Sequence, residues 1–414
     1  MKRSSRLPLR PLQILALIGG MLAGSACVGG PARVPLAIPS SPAPTLGTQA
    51  RCQPEFSDED GWLGGDAAAS VVLPGSQGRE SLWLFGDSFV ARPGSPPGER
   101  VYPFVHNTVA LSRCDADGRW QLDYAWRSDA KGAPRAFFEP EPGGEAAYYW
   151  PISAAAVGDV VFVALLRVAP AEASGPFHLP FRLEGVDLAR IEGLSGPPAR
   201  WQVRYSTLAR GGEALPAASL VALDDHLYAF AFLDRADDRS PRILTRLPLA
   251  ALARWRPSFE DVLETFVDDG HFAAGLLPDR ARILMDDDAS EMSVHFDPGP
   301  GRWLAVYSDP TASEAGDRGD TIWLRRAENL RGPWSTPEPL LRIPELAELP
   351  DPEPGEPFCY AGKAHPELAP SGELLVTWVC NLYAPDEREI PEVLERLRTT
   401  PTLYRPRTRR IPIP

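Results

Sequence analysis

Basic residues are in short supply in this 414-residue chain: 42 Lys and Arg stand against 55 Asp and Glu, a formal net charge of −13. That balance argues against nucleic acid and anionic membrane surfaces as partners, since both reward clustered positive charge. The six histidines and five cysteines show none of the short ligand spacings of a zinc site, so no metal cofactor is expected from them. No G-x-S-x-G occurs, and FGDSF around Asp87 is not a nucleophile elbow, so serine-hydrolase chemistry has little support. Beyond the N-terminal run LQILALIGGMLAG, no apolar stretch approaches the roughly 20 residues of a membrane span. After about Cys52 no Pro/Gly/Ser-rich linker recurs, which favours one structural domain over residues 52–414.

What is present in quantity is proline and glycine, 46 and 35 residues, in a chain that is 44% hydrophobic and 23% charged. Such a composition fits many short strands and irregular loops better than long helices. At the N-terminus, Lys2, Arg3, Arg6 and Arg10 precede the apolar run, and small residues then lead to Cys27, so residues 1–27 read as an export signal. Gly24-Ser25-Ala26-Cys27 resembles the lipobox of bacterial lipoproteins, which implies acylation of Cys27; Gly24 stands where that motif has Leu, and cleavage near Ala26 is the alternative. Residues 28–51 are rich in Pro, Ala and Ser and without period, as expected of an extended tether that holds a domain clear of a membrane.

Export places the remaining four cysteines in an oxidising compartment, where three pairings are possible and free buried thiols are the alternative. Cys359 and Cys380 flank the turn segment LAPSGE at facing positions of one hairpin; Cys52 and Cys114 are then the remaining pair.

Five segments share one design: LWLFGD (82–87), VFVALLR (161–167), LYAFAFLD (227–234), WLAVYSD (303–309) and LLVTWVCN (374–381), each entered from a short turn. A unit of roughly 70 residues holding four strands, repeated five times, predicts an all-β, five-bladed β-propeller, in which radial repetition protects the sheet edges. A β-sandwich is the plainer alternative and needs no fivefold repeat. The terminal segment TLYRPRT (402–408) is expected to pair with sheet near the N-terminus and close the ring. Short helices are expected at SFEDVLETF (258–266) and IPEVLERLR (390–398).

The first strand of each blade lines the channel, so polar groups there are the ones able to converge. In the first hairpin, WLGGDAAASVVLPGSQGRESLWLFGDSF, a turn centred near residues 76 and 77 sets Asp66 opposite the region of Asp87. Adjacent carboxylates raise each other's pKa, which is commoner in sites than in cores. Blade four repeats the pattern with Glu291 opposite Ser308 and Asp309. Blade two presents Tyr149 and Trp150, blade five Tyr360, Lys363 and His365, and blade three only Glu213 or Ser219. Opposed carboxylates with aromatic neighbours suit glycoside cleavage, with aromatic faces stacking on sugar rings. Each residue also has a structural reading: Asp66 and Asp87 as turn aspartates, His365 as a hydrogen-bonded core residue. The run Asp286-Asp287-Asp288 reads as a solvated loop that near a channel is able to hold a structural Ca²⁺.

The stretches WLGGDAAASVVL, LWLFGDSF, VHNTVAL, YYWPISAAAVGDVVFV, SEMSVHF and AGKAHPEL resemble a bacterial family of exported domains of unknown function. That family is similar to the five-bladed propeller glycosidases that include arabinanases and β-xylosidases, with a branch of endo-D-arabinofuranases. The resemblance implies a monomeric domain acting on a carbohydrate, hydrolysis of a furanoside or related polysaccharide, a first-blade Asp as base or nucleophile and a later-blade Glu as acid. Asp66 and Glu291 match those places by blade order. The superfamily's blade-three carboxylate has no counterpart here, which leaves room for Asp87. A catalytically silent propeller that binds glycans is the rival expectation.

Overall fold

The computed structural model describes residues 49, 52–57, 61–91, 104–140, 147–174, 179–234, 240–309, 320–348, 355–384 and 387–414. The expected signal over residues 1–27, with Cys27, and nearly all of the 28–51 tether lie outside the described residues. Among the described residues no helix is long and apolar enough to cross a membrane.

The chain is all-β. It runs through β1 (Trp62–Gly65), β2 (Ala69–Val72), β3 (Glu80–Phe85), β4 (Ser88–Val90), β5 (Phe104–Val105), β6 (Thr108–Cys114), β7 (Trp120–Ala125) and the small ribbon β8 (Arg127–Ser128) and β9 (Pro134–Arg135). There follow β10 (Tyr148–Val157), β11 (Val160–Ser174), β12 (Leu179–Glu192) and β13 (Gln202–Arg210), then β14 (Ala214–Leu223), β15 (His226–Leu233), β16 (Arg242–Pro248), β17 (Glu264–Phe266) and β18 (Phe272–Ala274). The last strands are β19 (Met292–Asp297), β20 (Arg302–Ser308), β21 (Thr321–Ala327), β22 (Glu338–Arg342), β23 (Glu356–Ala364), β24 (Glu373–Tyr383) and β25 (Arg407–Pro412). They form five successive antiparallel meanders, β2-β3-β6-β7, β10 to β13, β14 to β18, β19 to β22 and β23-β24-β25, with β1-β4-β5 as a flap on the first.

The second strand of each meander is the apolar segment seen in the sequence. In β3 and β20 every residue after the first is buried. A strand covered on both faces needs such a continuous apolar run. Outer strands such as β22, in which no residue is fully buried, need none. Tight turns set the register: Val157 pairs Val160 across Gly158-Asp159, with Gly158 at φ +62°, the left-handed conformation a two-residue hairpin turn demands.

Consecutive meanders bury apolar faces against each other. Leu82, Leu84 and Val109 of the first meet Val161, Val163 and Ile191 of the second. One cluster joins Phe162 and Val186 to Leu215 and Phe230 of the third and to Met292, Trp303 and Tyr307 of the fourth. Leu304, Val306 and Leu324 pack on Leu374, Val376 and Trp378 of the fifth, and Trp83 and Phe85 of the first pack with Leu368, Ala369 and Leu375 of the fifth. Each large apolar side chain so buried contributes about 1.5–3 kcal/mol. The first strands neighbour one another in the order β2, β10, β14, β19, β23, and Ser70 Oγ lies 2.6 Å from His365 Nδ1, bringing the fifth meander back to β2.

Two expectations are corrected. SFEDVLETF is not helical: Ser258 bridges to Thr207, Phe259 is buried in the core, and β17 begins at Glu264, so packing overrides a helical pattern. The segment 402–408 does not close the ring by strand pairing, because Pro401–Tyr404 is a 3₁₀ turn and β25 pairs with β24. The N-terminal link is made by side chains: Gln53 Nε2 donates to Thr408 Oγ1 (2.8 Å) and Thr408 Oγ1 to the Pro54 carbonyl (2.9 Å). The helix expected at 390–398 is present as Ile390–Thr399.

Both disulfides form, Cys52–Cys114 and Cys359–Cys380. The first spans a sequence separation of 62, for which loop closure alone is worth about 4 kcal/mol. Replacing both Cys52 and Cys114 by Ser is expected to lower the unfolding free energy in urea by about that amount; a change under about 1 kcal/mol would show the bond to be incidental.

Candidate functional site

Asp66 lies between β1 and β2, and Asp87 between β3 and β4. The main-chain N–H of Asp66 donates to the Asp87 carbonyl (3.3 Å) and that of Gly86 to the Asp66 carbonyl (3.2 Å), so the two acids face each other where the hairpin register put them. Ala67 and Ala68, at φ +64° and +52°, break the strand here. Gly86 has no room for a side chain: a Cβ would come within 2.3 Å of Asp66 Oδ1. Glu291 immediately precedes β19, whose Met292 pairs with Tyr307. It reaches the same recess and is one of the charges that act on Asp66.

Each carboxylate has its own partners. Asp66 Oδ2 accepts a hydrogen bond from Tyr360 OH (2.7 Å), and Tyr404 is a second phenol bonded to it. Asp87 Oδ1 accepts from Trp150 Nε1 (2.9 Å) and lies 3.1 Å from His106 Nδ1. Glu291 pairs with the ammonium of Lys363, which also donates to the Ala67 carbonyl (2.9 Å). Burial, then the charges of Asp87 and Glu291, push Asp66 up to about 7, against the lowering effect of the two phenols. Burial also raises Asp87, offset in part by His106 and Trp150. Tyr360 and Tyr404 are raised by burial and by the charge of Asp66, and stay phenolic.

The loop carrying Glu291 is anchored just upstream. Asp287 accepts from Arg242 Nη2 (3.0 Å), Arg325 Nε (2.8 Å) and Tyr307 OH, and Asp288 N donates to Asp309 Oδ2 (2.9 Å). Burial works to raise Asp287, but the bonds from Arg325 and Tyr307 and the charge of Arg242 outweigh it and hold the carboxyl below its ordinary range. The Asp286–Asp288 run is thus an ion-pair anchor, and among the described residues no group of three metal-ligating side chains assembles.

Along one side of the recess the rings form a ledge. Phe104, 43% exposed, lies 5.7 Å from His106; His106 stacks on Tyr148 at 3.6 Å; Tyr148 lies 5.7 Å from Trp150, and Trp150 4.7 Å from Phe181. Below the acids, cavities of about 210 and 320 Å³ lie against Ser70, Ser219, Lys363, His365 and Glu367, and then against Val72, Leu220 and His295. None of the three recess acids lines either cavity.

Of the residues singled out in the sequence, Asp66, Asp87, Glu291, Trp150, Tyr360 and Lys363 meet in the recess. Tyr149 and His365 do not, and their assignment to substrate contact is corrected. Tyr149 is buried between the first two meanders with its hydroxyl on Asp187 Oδ2 (2.6 Å). His365 is buried beneath the site, with Nε2 2.7 Å from Thr377 Oγ1 and its ring against Trp83, and burial holds it neutral at about 3. Tyr148, His106 and Tyr404 were missed. Strand alternation was enough to prefer Tyr148 over Tyr149 beside Trp150; nothing in the sequence marks Tyr404.

The raised Asp66 fixes a pH dependence. Its folded-state value of about 7 lies above the ordinary aspartate value of 3.8, so between these values the native state keeps a proton that the unfolded chain has released. Stability from this group therefore falls as pH rises through that window. Asp66→Asn cannot titrate, and its urea midpoint is expected to gain on wild type from pH 4 to pH 7.5; a constant difference would show that Asp66 ionises normally.

Residues 53–236 match the family described as Domain of unknown function (DUF5005). No curated protein matches the sequence. A candidate hydrolase from Bacteroides ovatus is similar in structure at 17% identity, over 85% of this chain and 86% of its own, with a TM-score of 0.57. A xylan β-1,4-xylosidase from Bacillus halodurans matches at 10% identity over 78% of this chain and 49% of its own (TM-score 0.45), and an α-L-arabinofuranosidase from Podospora anserina at 10% over 79% and 86% (TM-score 0.40). Residues 53–236 are thus similar to a domain of unknown function, and the all-β fold is similar to that of the Bacteroides ovatus protein.

Proposed function

We propose that the five meanders are blades of a five-bladed β-propeller and that the recess at one mouth of its channel cleaves a glycosidic bond, with a furanoside polysaccharide as the substrate class. The observation that carries this reading is the convergence of Asp66, Asp87 and Glu291 from the first and fourth meanders beside the aromatic ledge. Glycoside cleavage needs a carboxylic acid to protonate the leaving oxygen and a carboxylate to attack or to activate water. A carboxyl raised to about 7 beside one paired with an ammonium supplies two carboxyl groups in different electrostatic settings. The ledge offers apolar ring faces for sugars, and Trp150 and His106 tie that ledge to Asp87. The names of the Bacillus and Podospora relatives, a xylosidase and an arabinofuranosidase, agree with a pentose-containing glycan. Two disulfides suit the oxidising exterior that the N-terminal signal points to, with Cys27 as the proposed lipid anchor.

The test is sugar release from a panel of furanoside polysaccharides by the full chain, Asp66→Asn and Glu291→Gln. Wild type is expected to release reducing ends, and each variant to lose activity by about 10²–10⁴-fold. Equal activity of Asp66→Asn would remove that residue. Binding without release by any form would leave a glycan-binding propeller.

A further inference from the structure

Three carboxylates share the recess, and their partners differ in donor strength. Asp87 takes two ring N–H groups and Glu291 an ammonium that is only 2% exposed, whereas Asp66 takes, among the described residues, the phenols of Tyr360 and Tyr404. An ammonium supports a carboxylate more strongly than neutral hydroxyls do, and two ring donors aimed at one carboxylate oxygen add to the support of Asp87. When like charges crowd together, one group keeps the proton, and it is the one whose anion is least supported.

We infer that Asp66 holds the shared proton and acts as general acid, while Lys363 positions Glu291 as the ionised partner that attacks or deprotonates water. This rests on the hydrolase reading and inverts the roles that blade order implies. In the reaction the glycosidic C–O bond breaks as Asp66 passes its proton to the leaving oxygen. The anomeric carbon gains an oxygen either from a water whose proton goes to Glu291 and then returns to Asp66 through solvent, or from Glu291 itself, in which case a water later releases the ester and gives its proton to Asp66. Net, one water is consumed per bond. Among the described residues the titratable groups acting on Asp66 are Asp87, Glu291, Tyr360 and Tyr404, with His106 behind Asp87 and Lys363 on Glu291 and the Ala67 carbonyl. The lift of Asp66 to about 7, from burial and its two acidic neighbours, agrees with this arrangement.

The experiment is carboxyl NMR of the full chain carrying ¹³C-labelled Asp and Glu, assigned with Asp66→Asn and Glu291→Gln. At pH 6 the Asp66 signal is expected to be that of the acid and the Glu291 signal that of the carboxylate. Lys363→Met should move the Glu291 signal toward the acid form, and Lys363→Arg should restore it. A protonated Glu291 beside an ionised Asp66 in wild type overturns the inference. Leaving-group dependence gives the second arm: Asp66→Asn should still turn over a 2,4-dinitrophenyl furanoside, and Glu291→Gln should lose it and recover with azide. The opposite pattern also overturns the inference. If wild type cleaves neither substrate but the NMR pattern holds, the hydrolase reading fails and the proton assignment stands.

Discussion

The ammonium of Lys363 is the point at which three meanders meet. It rises from β23 in the fifth, pairs with Glu291 ahead of the fourth, and donates to the Ala67 carbonyl between β1 and β2 in the first. Buried at 2% exposure, it has no water to fall back on, so removing either partner leaves a costly uncompensated charge. The fifth meander meets the first here through polar groups as well as through Trp83, Leu368 and Leu375, and the bond between Ser70 and His365 adds a second contact between them. The contacts that bring the fifth meander to the first therefore also fix Glu291 relative to Asp66.

A second anchor works on the other side of Glu291. Arg242 from the third meander and Arg325 and Tyr307 from the fourth all converge on Asp287, four residues upstream. Buried ion pairs are weak contributors to net stability, and here Arg242 Nε has no partner among the described residues, but the converging bonds on Asp287 fix its position. The loop before β19 is thereby held at both ends, by Asp287 and by the Glu291–Lys363 pair.

Much of this was legible in the sequence, and the pattern of success has a physical reason. The five central strands announce themselves because a strand covered on both faces must be continuously apolar, and short turns fix which residues face each other; hence Asp66 opposite Asp87 and Cys359 opposite Cys380. What failed depended on contacts between distant segments. Tyr149 and Trp150 were treated as a pair although alternation sends them to opposite faces, one to Asp187 in the core and one to Asp87 in the recess. SFEDVLETF carries a helical pattern but is drawn into strand geometry against Thr207, and Tyr404 reaches Asp66 from a turn whose position no local rule specifies.

The three acids share one further trait. Asp66 lies in the break between β1 and β2, Asp87 in the break between β3 and β4, and Glu291 one residue ahead of β19; none is a rung of a ladder. Their side chains are consequently exempt from the in-out alternation that governs every strand residue. The scaffold and its chemistry are therefore only partly separable: Asp66 and Asp87 stand outside the interlocking apolar faces, whereas replacing Glu291 leaves the buried Lys363 ammonium without its carboxylate.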